Sequence, residues 1–232
     1  MFEVFRSDTR GTADHGLLKA KHTFSFAEYH DPERMGFGPL RVINEDRIEP
    51  GKGFDTHPHR DMEIITYIID GALQHKDSMD NGSVIKAGDV QRMTAGTGVL
   101  HSEFNPSAED SVHLLQIWIL PSETSLQPEY EQQHFGRDDK LNQLRLVASG
   151  DGRNSSMTIH QAVDLYASVL DAGTKLQHSY ADGHSGFLQI VSGSVSANGE
   201  QLEAGDGVAI RALDSLTLLA TSDAEIILFD MA

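Results

Sequence analysis

Short apolar runs rich in Val, Ile and Leu recur along the chain between turn signals, as in "MEIITYIIDG", "VHLLQIWILP" and "AEIILFDMA". Runs of this length, bounded by Gly, Pro, Asn or Asp, are typical of β-strands. Long stretches with the apolar spacing of an amphipathic helix are scarce. The pattern therefore predicts an all-β protein with few short helices.

Two stretches repeat the same order of elements, which is strand, glycine, strand, Asn-Gly turn, strand and an Ala-Gly-Asp corner. They are "TYIIDGALQHKDSMDNGSVIKAGDVQRM" and "LQIVSGSVSANGEQLEAGDGVAI". Such a repeat predicts duplicated β units, and antiparallel units protect their edges best as jelly rolls or closed barrels. Residues 121–156 are polar and contain Pro and Gly, so we expect a connecting segment there.

The charge balance and the absence of cysteine exclude several classes of function. The chain of 232 residues has 18 Lys and Arg against 35 Asp and Glu, a formal charge of -17. Phosphates of nucleic acids and anionic membranes would repel such a protein. With no cysteine, disulfides, thiolate metal sites and a cysteine nucleophile are excluded. No apolar signal core or membrane span is visible, which predicts a soluble, cytoplasmic protein.

Twelve histidines are the compositional hint of metal chemistry, and two of them lie in "HPH". In a strand, His57 and His59 point to the same face with roots about 7 Å apart. Two imidazoles placed in this way can bind one ion. Pro58 gives up a ladder hydrogen bond, which predicts a strand edge or a barrel mouth.

A second pair with the same spacing follows a glycine-rich turn. In "AGTGVLHSEF", His101 and Glu103 again share one face of a strand. Two facing strands would then supply three neutral imidazoles and one carboxylate. This donor set suits Fe, Mn, Co, Ni, Cu or Zn, and a six-coordinate ion would keep two positions for substrate or dioxygen.

Several motifs resemble those of a known family. Glycines and ligands at the expected spacing resemble the two cupin motifs: Gly51, His57, His59, Gly71, Gly88, Asp89, Gly96, His101 and Asn105. More narrowly, "HTFSF", "FGPLRVINEDRI", "THPHRDMEIITYI" and "AGTGVLHSEFNPS" are similar to the pirin family, including its bacterial quercetinase-like members. The resemblance is dense over residues 15–135 and mainly architectural beyond them.

The resemblance implies a bicupin, with two tandem jelly-roll barrels. We expect an N-terminal metal-binding barrel at residues 1–135 and a C-terminal barrel without metal ligands at residues 136–232. It also implies one divalent metal, iron first among the candidates, held by the residues that match His57, His59, His101 and Glu103.

The activity implied is dioxygenation of a flavonol such as quercetin, with flavonol and O2 as the partners and Glu103 as the base that takes a proton from the substrate. Two alternatives stay open. One is a non-catalytic metal-dependent module that regulates a protein partner, and the other is an enzyme of this fold acting on another small enolisable metabolite.

Other polar residues receive different interpretations. The general cupin pattern makes Glu63 a rival carboxylate ligand, but it lies one residue out of phase, so Glu103 is preferred. His22, Phe24 and Phe26 are interpreted as parts of the N-terminal packing. For His113, which precedes the apolar "LLQIWIL" strand, a place in a barrel interior is the less favoured interpretation. The remaining histidines without a partner at chelating spacing are interpreted as solvated or structural: His75, His134, His160, His178 and His184.

Overall fold

Strands dominate the structure, a computed structural model that describes all 232 residues. Strands contain 57% of the residues and helices 4%, which confirms the predicted all-β class. No helix is long and apolar enough to cross a membrane.

The first half of the chain contributes twelve strands. They are, in chain order, β1 (Phe2–Phe5), β2 (Gly11–Asp14), β3 (Leu18–His22), β4 (Leu40–Ile48), β5 (Gly53–His59), β6 (Glu63–Asp70), β7 (Ala72–Asp77), β8 (Gly82–Lys86), β9 (Asp89–Thr94), β10 (Val99–Phe104), β11 (Val112–Ile119) and β12 (Glu129–His134).

The second half contributes one short α-helix, α1 (Arg137–Lys140), and ten strands. They are β13 (Arg145–Ser149), β14 (Met157–Thr158), β15 (Val163–Leu170), β16 (Lys175–Ser179), β17 (Ser185–Ser192), β18 (Ser194–Ala197), β19 (Glu200–Glu203), β20 (Gly207–Arg211), β21 (Ser215–Ala220) and β22 (Ala224–Met231). Two 3₁₀ turns, Ser7–Thr9 and Arg153–Ser155, complete the elements.

The chain divides into two compact units, which we call the N-terminal unit and the C-terminal unit. The N-terminal unit contains residues 11–134 and 159–161, and the C-terminal unit contains residues 1–10, 135–158 and 162–232. These ranges differ from the predicted 1–135 and 136–232, most clearly at the start of the chain. There β1 pairs antiparallel with β20, with Phe2 opposite Ile210, so the first strand joins the sheet of the C-terminal unit.

The N-terminal unit is built from two sheets. A seven-stranded sheet has the order β12-β9-β6-β11-β4-β3-β2, and a four-stranded sheet has the order β5-β10-β7-β8. Apolar side chains from both sheets form a common core: Ile48, Ile68, Leu73, Ile85, Val112 and Leu114. Strand β5, which contains His57, Pro58 and His59, is an edge strand, as the proline predicts.

The C-terminal unit repeats this plan. Its sheets have the orders β1-β20-β17-β22-β15-β13-β14 and β16-β21-β18-β19. Strands β15 to β22 therefore occupy, one for one and in the same chain order, the places of β4 to β11. This correspondence confirms the duplication that the repeated motifs predict.

The glycine shared by the two repeats turns the same corner in each unit. Gly71 follows β6 with φ +80° and Gly193 follows β17 with φ +70°. A Cβ at Gly193 would lie 1.9 Å from the carbonyl oxygen of Asp223. Only glycine fits both the left-handed backbone and the close approach.

Candidate metal centre

Three imidazoles converge at the edge of the four-stranded sheet in the N-terminal unit. His57 and His59 alternate with Pro58 on β5, and His101 lies opposite His57 on the neighbouring strand β10. The ring centroids are 4.4 Å apart for His57 and His101, and 4.8 Å apart for each of the other two pairs. One nitrogen from each ring lies within 4.8 Å of the others, so strand alternation and strand pairing together build a tripod of ligands.

Hydrogen bonds set the tautomer of His57. Its Nδ1 donates to the carbonyl oxygen of Asp55 at 2.7 Å, so the lone pair of His57 is on Nε2. That nitrogen lies 2.9 Å from Nε2 of His101. A backbone carbonyl on the outer nitrogen is the usual way in which a metal-ligating histidine is oriented. The arrangement directs His57 Nε2 toward the centre of the tripod.

Burial keeps two of these imidazoles neutral. Burial and the adjacent His57 lower the pKa of His59 to about 4. Burial, followed by His57 and His59, lowers the pKa of His101 to about 2. Neutral imidazoles offer the lone pairs that a metal requires, so His59 and His101 can act as ligands at neutral pH.

Glu103 lies beside the tripod, is almost fully buried and lines the same cavity as the three imidazoles. Two residues beyond His101 on β10, it is 3% exposed. Gln116 Nε2 on β11 donates to both of its carboxylate oxygens, at 2.9 and 3.0 Å. Burial raises the pKa of Glu103 to about 7, and the hydrogen bonds from Gln116 oppose that rise. Glu103, His101 and His75 also form a second group of potential ligands, because their donor atoms lie within 4.8 Å of one another.

His75 is held by hydrogen bonds on both sides of its ring. Its Nδ1 accepts from Gln91 Nε2 at 3.0 Å, and its Nε2 faces Asp77 Oδ2 at 3.0 Å. With both nitrogens engaged, this fully buried residue is a support for the site. Sequence reasoning interprets His75 as solvated or structural and does not place it beside the metal centre, because the pairing of β7 with β10 has no local signal.

A cavity of about 530 Å³ opens in front of the tripod. Its wall contains the apolar side chains of Phe26, Ile64 and Trp118, and its polar part includes Asn44 and Asp46. The Trp118 ring lies edge-on to His59 at 4.9 Å and to Phe26 at 5.3 Å. The volume and the mostly apolar wall suit a small flat aromatic molecule.

The structure also places the residues whose roles the sequence left open. Phe24 is buried in the core at 1% exposure, but Phe26, interpreted as packing, lines the cavity because its segment crosses the cavity wall. His22 Nδ1 donates to Asn44 Oδ1 at 2.8 Å, and His22 also lines the cavity. His113 pairs with Glu45 at 2.9 Å and does not line the cavity.

Glu63, the rival carboxylate, lies outside both groups of potential ligands. Its side chain is fully buried and its Oε2 accepts a hydrogen bond from the Thr94 hydroxyl at 3.0 Å. Burial raises the pKa of this carboxyl as well. Glu63 is thus neither a surface residue nor part of the cavity wall.

The C-terminal unit has different residues at the corresponding positions. On β16 and β21, the equivalents of β5 and β10, His178 lies opposite Leu216. That pair matches His57 and His101. Leu218, two residues further on, takes the place of Glu103, and neither leucine has a ligand atom.

The raised pKa of Glu103 predicts how the stability of the metal-free protein depends on pH. A carboxyl with a folded pKa of about 7 and an ordinary value of 4.5 stabilises the fold fully below pH 4.5, and this stabilisation is lost as pH rises through 7. Relative to Glu103→Gln, the free energy of unfolding of the wild type should fall by up to about 3 kcal/mol from pH 4.5 to 8. Urea denaturation of the wild type and of Glu103→Gln, each freed of metal by a chelator, tests this. A difference in the free energy of unfolding that stays constant from pH 4.5 to 8 would contradict it.

The fold and this histidine and glutamate cluster define a two-domain cupin protein whose site fits a single divalent metal. Residues 4–119 match the family model described as Pirin, and residues 146–231 match the one described as Quercetinase C-terminal cupin domain. The chain belongs to the pirin family.

The similarity to characterised relatives extends over the whole chain. A protein of Escherichia coli named quercetin 2,3-dioxygenase is 45% identical over 231 residues, which cover 100% of this chain and 99% of that protein. The crystal structure of YhhW from E. coli superposes with a TM-score of 0.97 at 44% identity, over 100% of this chain and 98% of the other. A structure of bacterial pirin YhhW in complex with nickel(II) gives a TM-score of 0.95 at 44% identity, over 100% and 99%.

Proposed function

We propose that this protein is a metal-dependent quercetin 2,3-dioxygenase. The observation that carries the proposal is that His57, His59, His101 and the buried Glu103 line one mostly apolar cavity of about 530 Å³. The 45% identity to a quercetin 2,3-dioxygenase over the whole chain supports the same activity.

We assign the metal ligands to His57, His59, His101 and Glu103. The fit rests on converging nitrogen atoms, on neutral imidazoles and on the carboxylate that partly compensates the charge of a divalent ion. Iron is the metal we propose, and imidazole and carboxylate donors also suit nickel. The related structure of bacterial pirin YhhW is a complex with nickel(II). When bound, the metal supplies a Lewis acid for the flavonol oxygen and a redox centre for dioxygen.

The protein's own residues bind the substrate and move one proton. The apolar wall with Phe26, Ile64 and Trp118 buries the flat ring system, which excludes water from the reacting end. The 3-hydroxyl of a flavonol is acidified by its neighbouring carbonyl, and Glu103 is the carboxylate placed to accept that proton. Both atoms of O2 enter the product, two carbon–carbon bonds break, and carbon monoxide leaves together with a depside.

Trp118 makes substrate binding measurable apart from turnover. It is the single tryptophan of the chain and lines the cavity. Quercetin is expected to quench its fluorescence, and the iron-loaded protein should consume one O2 and release one CO per quercetin. Phe26→Ala should weaken quenching because it removes apolar wall.

Three outcomes of this experiment differ in meaning. Turnover with equal amounts of O2 and CO supports the dioxygenase. Binding of quercetin to the iron-loaded protein without turnover would contradict it and would favour a metal-dependent regulator that binds a protein partner. Absence of quenching would exclude flavonols and leave another enolisable metabolite as the substrate.

A further inference from the structure

A row of polar side chains crosses the inner face of the seven-stranded sheet at one level. His22 lies opposite Asn44, Asn44 opposite Gln116, Gln116 opposite Thr66, and Thr66 opposite Gln91, across the five adjacent strands β3, β4, β11, β6 and β9. All five residues are buried. A continuous polar row inside a β-barrel is costly unless its members have partners.

The two glutamines of the row are oriented in the same way. Gln116 Nε2 donates to both oxygens of Glu103, and Gln91 Nε2 donates to His75 Nδ1. In each case the amide oxygen is buried and has no hydrogen-bond partner. An unpartnered buried carbonyl destabilises the fold, so both amides direct their donors toward the opposite sheet at the expense of their own oxygens.

This orientation has a consequence for Glu103 that differs from ordinary packing. A carboxylate has about four lone-pair sites, and one amide group that bonds both oxygens occupies one site on each. The contact fixes the plane of the carboxylate and leaves one site on each oxygen for other partners. Without the contact from Gln116, the terminal torsion of Glu103 would be free to rotate. The buried carboxylate would also lose two hydrogen bonds.

We propose that Gln116 is a positioning residue that orients Glu103 toward the metal site. The proposal rests on the proposed role of Glu103 as a metal ligand. Gln116 forms no hydrogen bond with the three imidazoles, and the charged group that it contacts is Glu103. Its effect on the metal therefore passes through Glu103. Gln189 on β17 of the C-terminal unit is equally buried, its amide oxygen also lacks a partner, and its Nε2 donates only to the backbone carbonyls of Ile190 and Asp206, which makes it the matched control.

The test is calorimetric titration of Ni²⁺ into the metal-free protein, which needs no turnover. Gln116→Met keeps the length of the side chain and removes the donors, and it should weaken Ni²⁺ binding about 10- to 100-fold, as loss of partners that hold a ligand does. Gln189→Met should bind Ni²⁺ with an affinity close to that of the wild type, because Gln189 lies in the C-terminal unit. Circular dichroism checks the fold, and Gln116→Leu, which also lacks the donors, replaces Gln116→Met with the same expected loss if the latter does not fold.

A double-mutant cycle with Glu103→Gln separates positioning from general damage. Glu103→Gln alone should weaken Ni²⁺ binding, and adding Gln116→Met to it should weaken binding little further, because the two residues act as one unit. Additive losses would overturn the proposal, as would an equal loss in Gln189→Met. Wild-type affinity in Gln116→Met together with a loss in Glu103→Gln would overturn the role of Gln116 and leave Glu103 as a ligand.

Discussion

Replacing His101 by alanine is expected to abolish stoichiometric metal binding and quercetin turnover together. His101 is the one residue shared by both groups of potential ligands, and its Nε2 lies 2.9 Å from that of His57. Loss of a direct ligand should exceed the roughly 10- to 100-fold cost of losing a residue that only supports a ligand. Metal analysis of the purified variant and O2 uptake with quercetin measure the two effects.

The control for that variant is His113→Ala. His113 is also a buried histidine on an inner strand, but it pairs with Glu45 and does not line the cavity. It should retain both metal and turnover. A His101→Ala protein that still bound one metal per chain would show that the three-imidazole tripod is not the metal site.

The second large effect is expected in Glu103→Gln. At saturating metal, turnover of quercetin should fall by about 10²- to 10⁴-fold, the range typical of a lost general base. Quercetin should still quench Trp118, since the apolar wall of the cavity is unchanged. Steady-state O2 uptake and fluorescence titration of the same preparation separate binding from chemistry.

Glu63→Gln is the matched control, because Glu63 is another fully buried carboxyl with a raised pKa. It contacts Thr94 and takes no part in either ligand group, so its amide should leave turnover near the wild-type level. If Glu63→Gln lost activity and Glu103→Gln kept it, the preference for Glu103 would be wrong.

Local patterns were sufficient for the parts of the site that lie on single strands. The alternation of β-strands places His57 with His59, and His101 with Glu103, because side chains two residues apart share a face. The apolar runs and repeated corners similarly predict two β units. Each of these inferences uses residues that are close together in the chain.

The supports of the site could not be found in this way. Gln116 and His75 approach Glu103 only because strands that are distant in sequence lie together in the fold, and neither has a distinctive neighbour. The pairing of the first strand could not be found for the same reason, since its partner β20 begins only at Gly207. Phe26 was assigned to packing because sequence does not reveal where the cavity opens.

The two leucines in the C-terminal unit bear on the order of events in the cell. Leu216 and Leu218 occupy the places of His101 and Glu103 in a unit with the same arrangement of strands. This arrangement of strands therefore forms with leucine in these two places and needs no ligand there. We expect the chain to fold before it acquires its ion. Removal of the metal by a chelator should then be reversible. The supply of metal should determine how much of the folded protein is loaded.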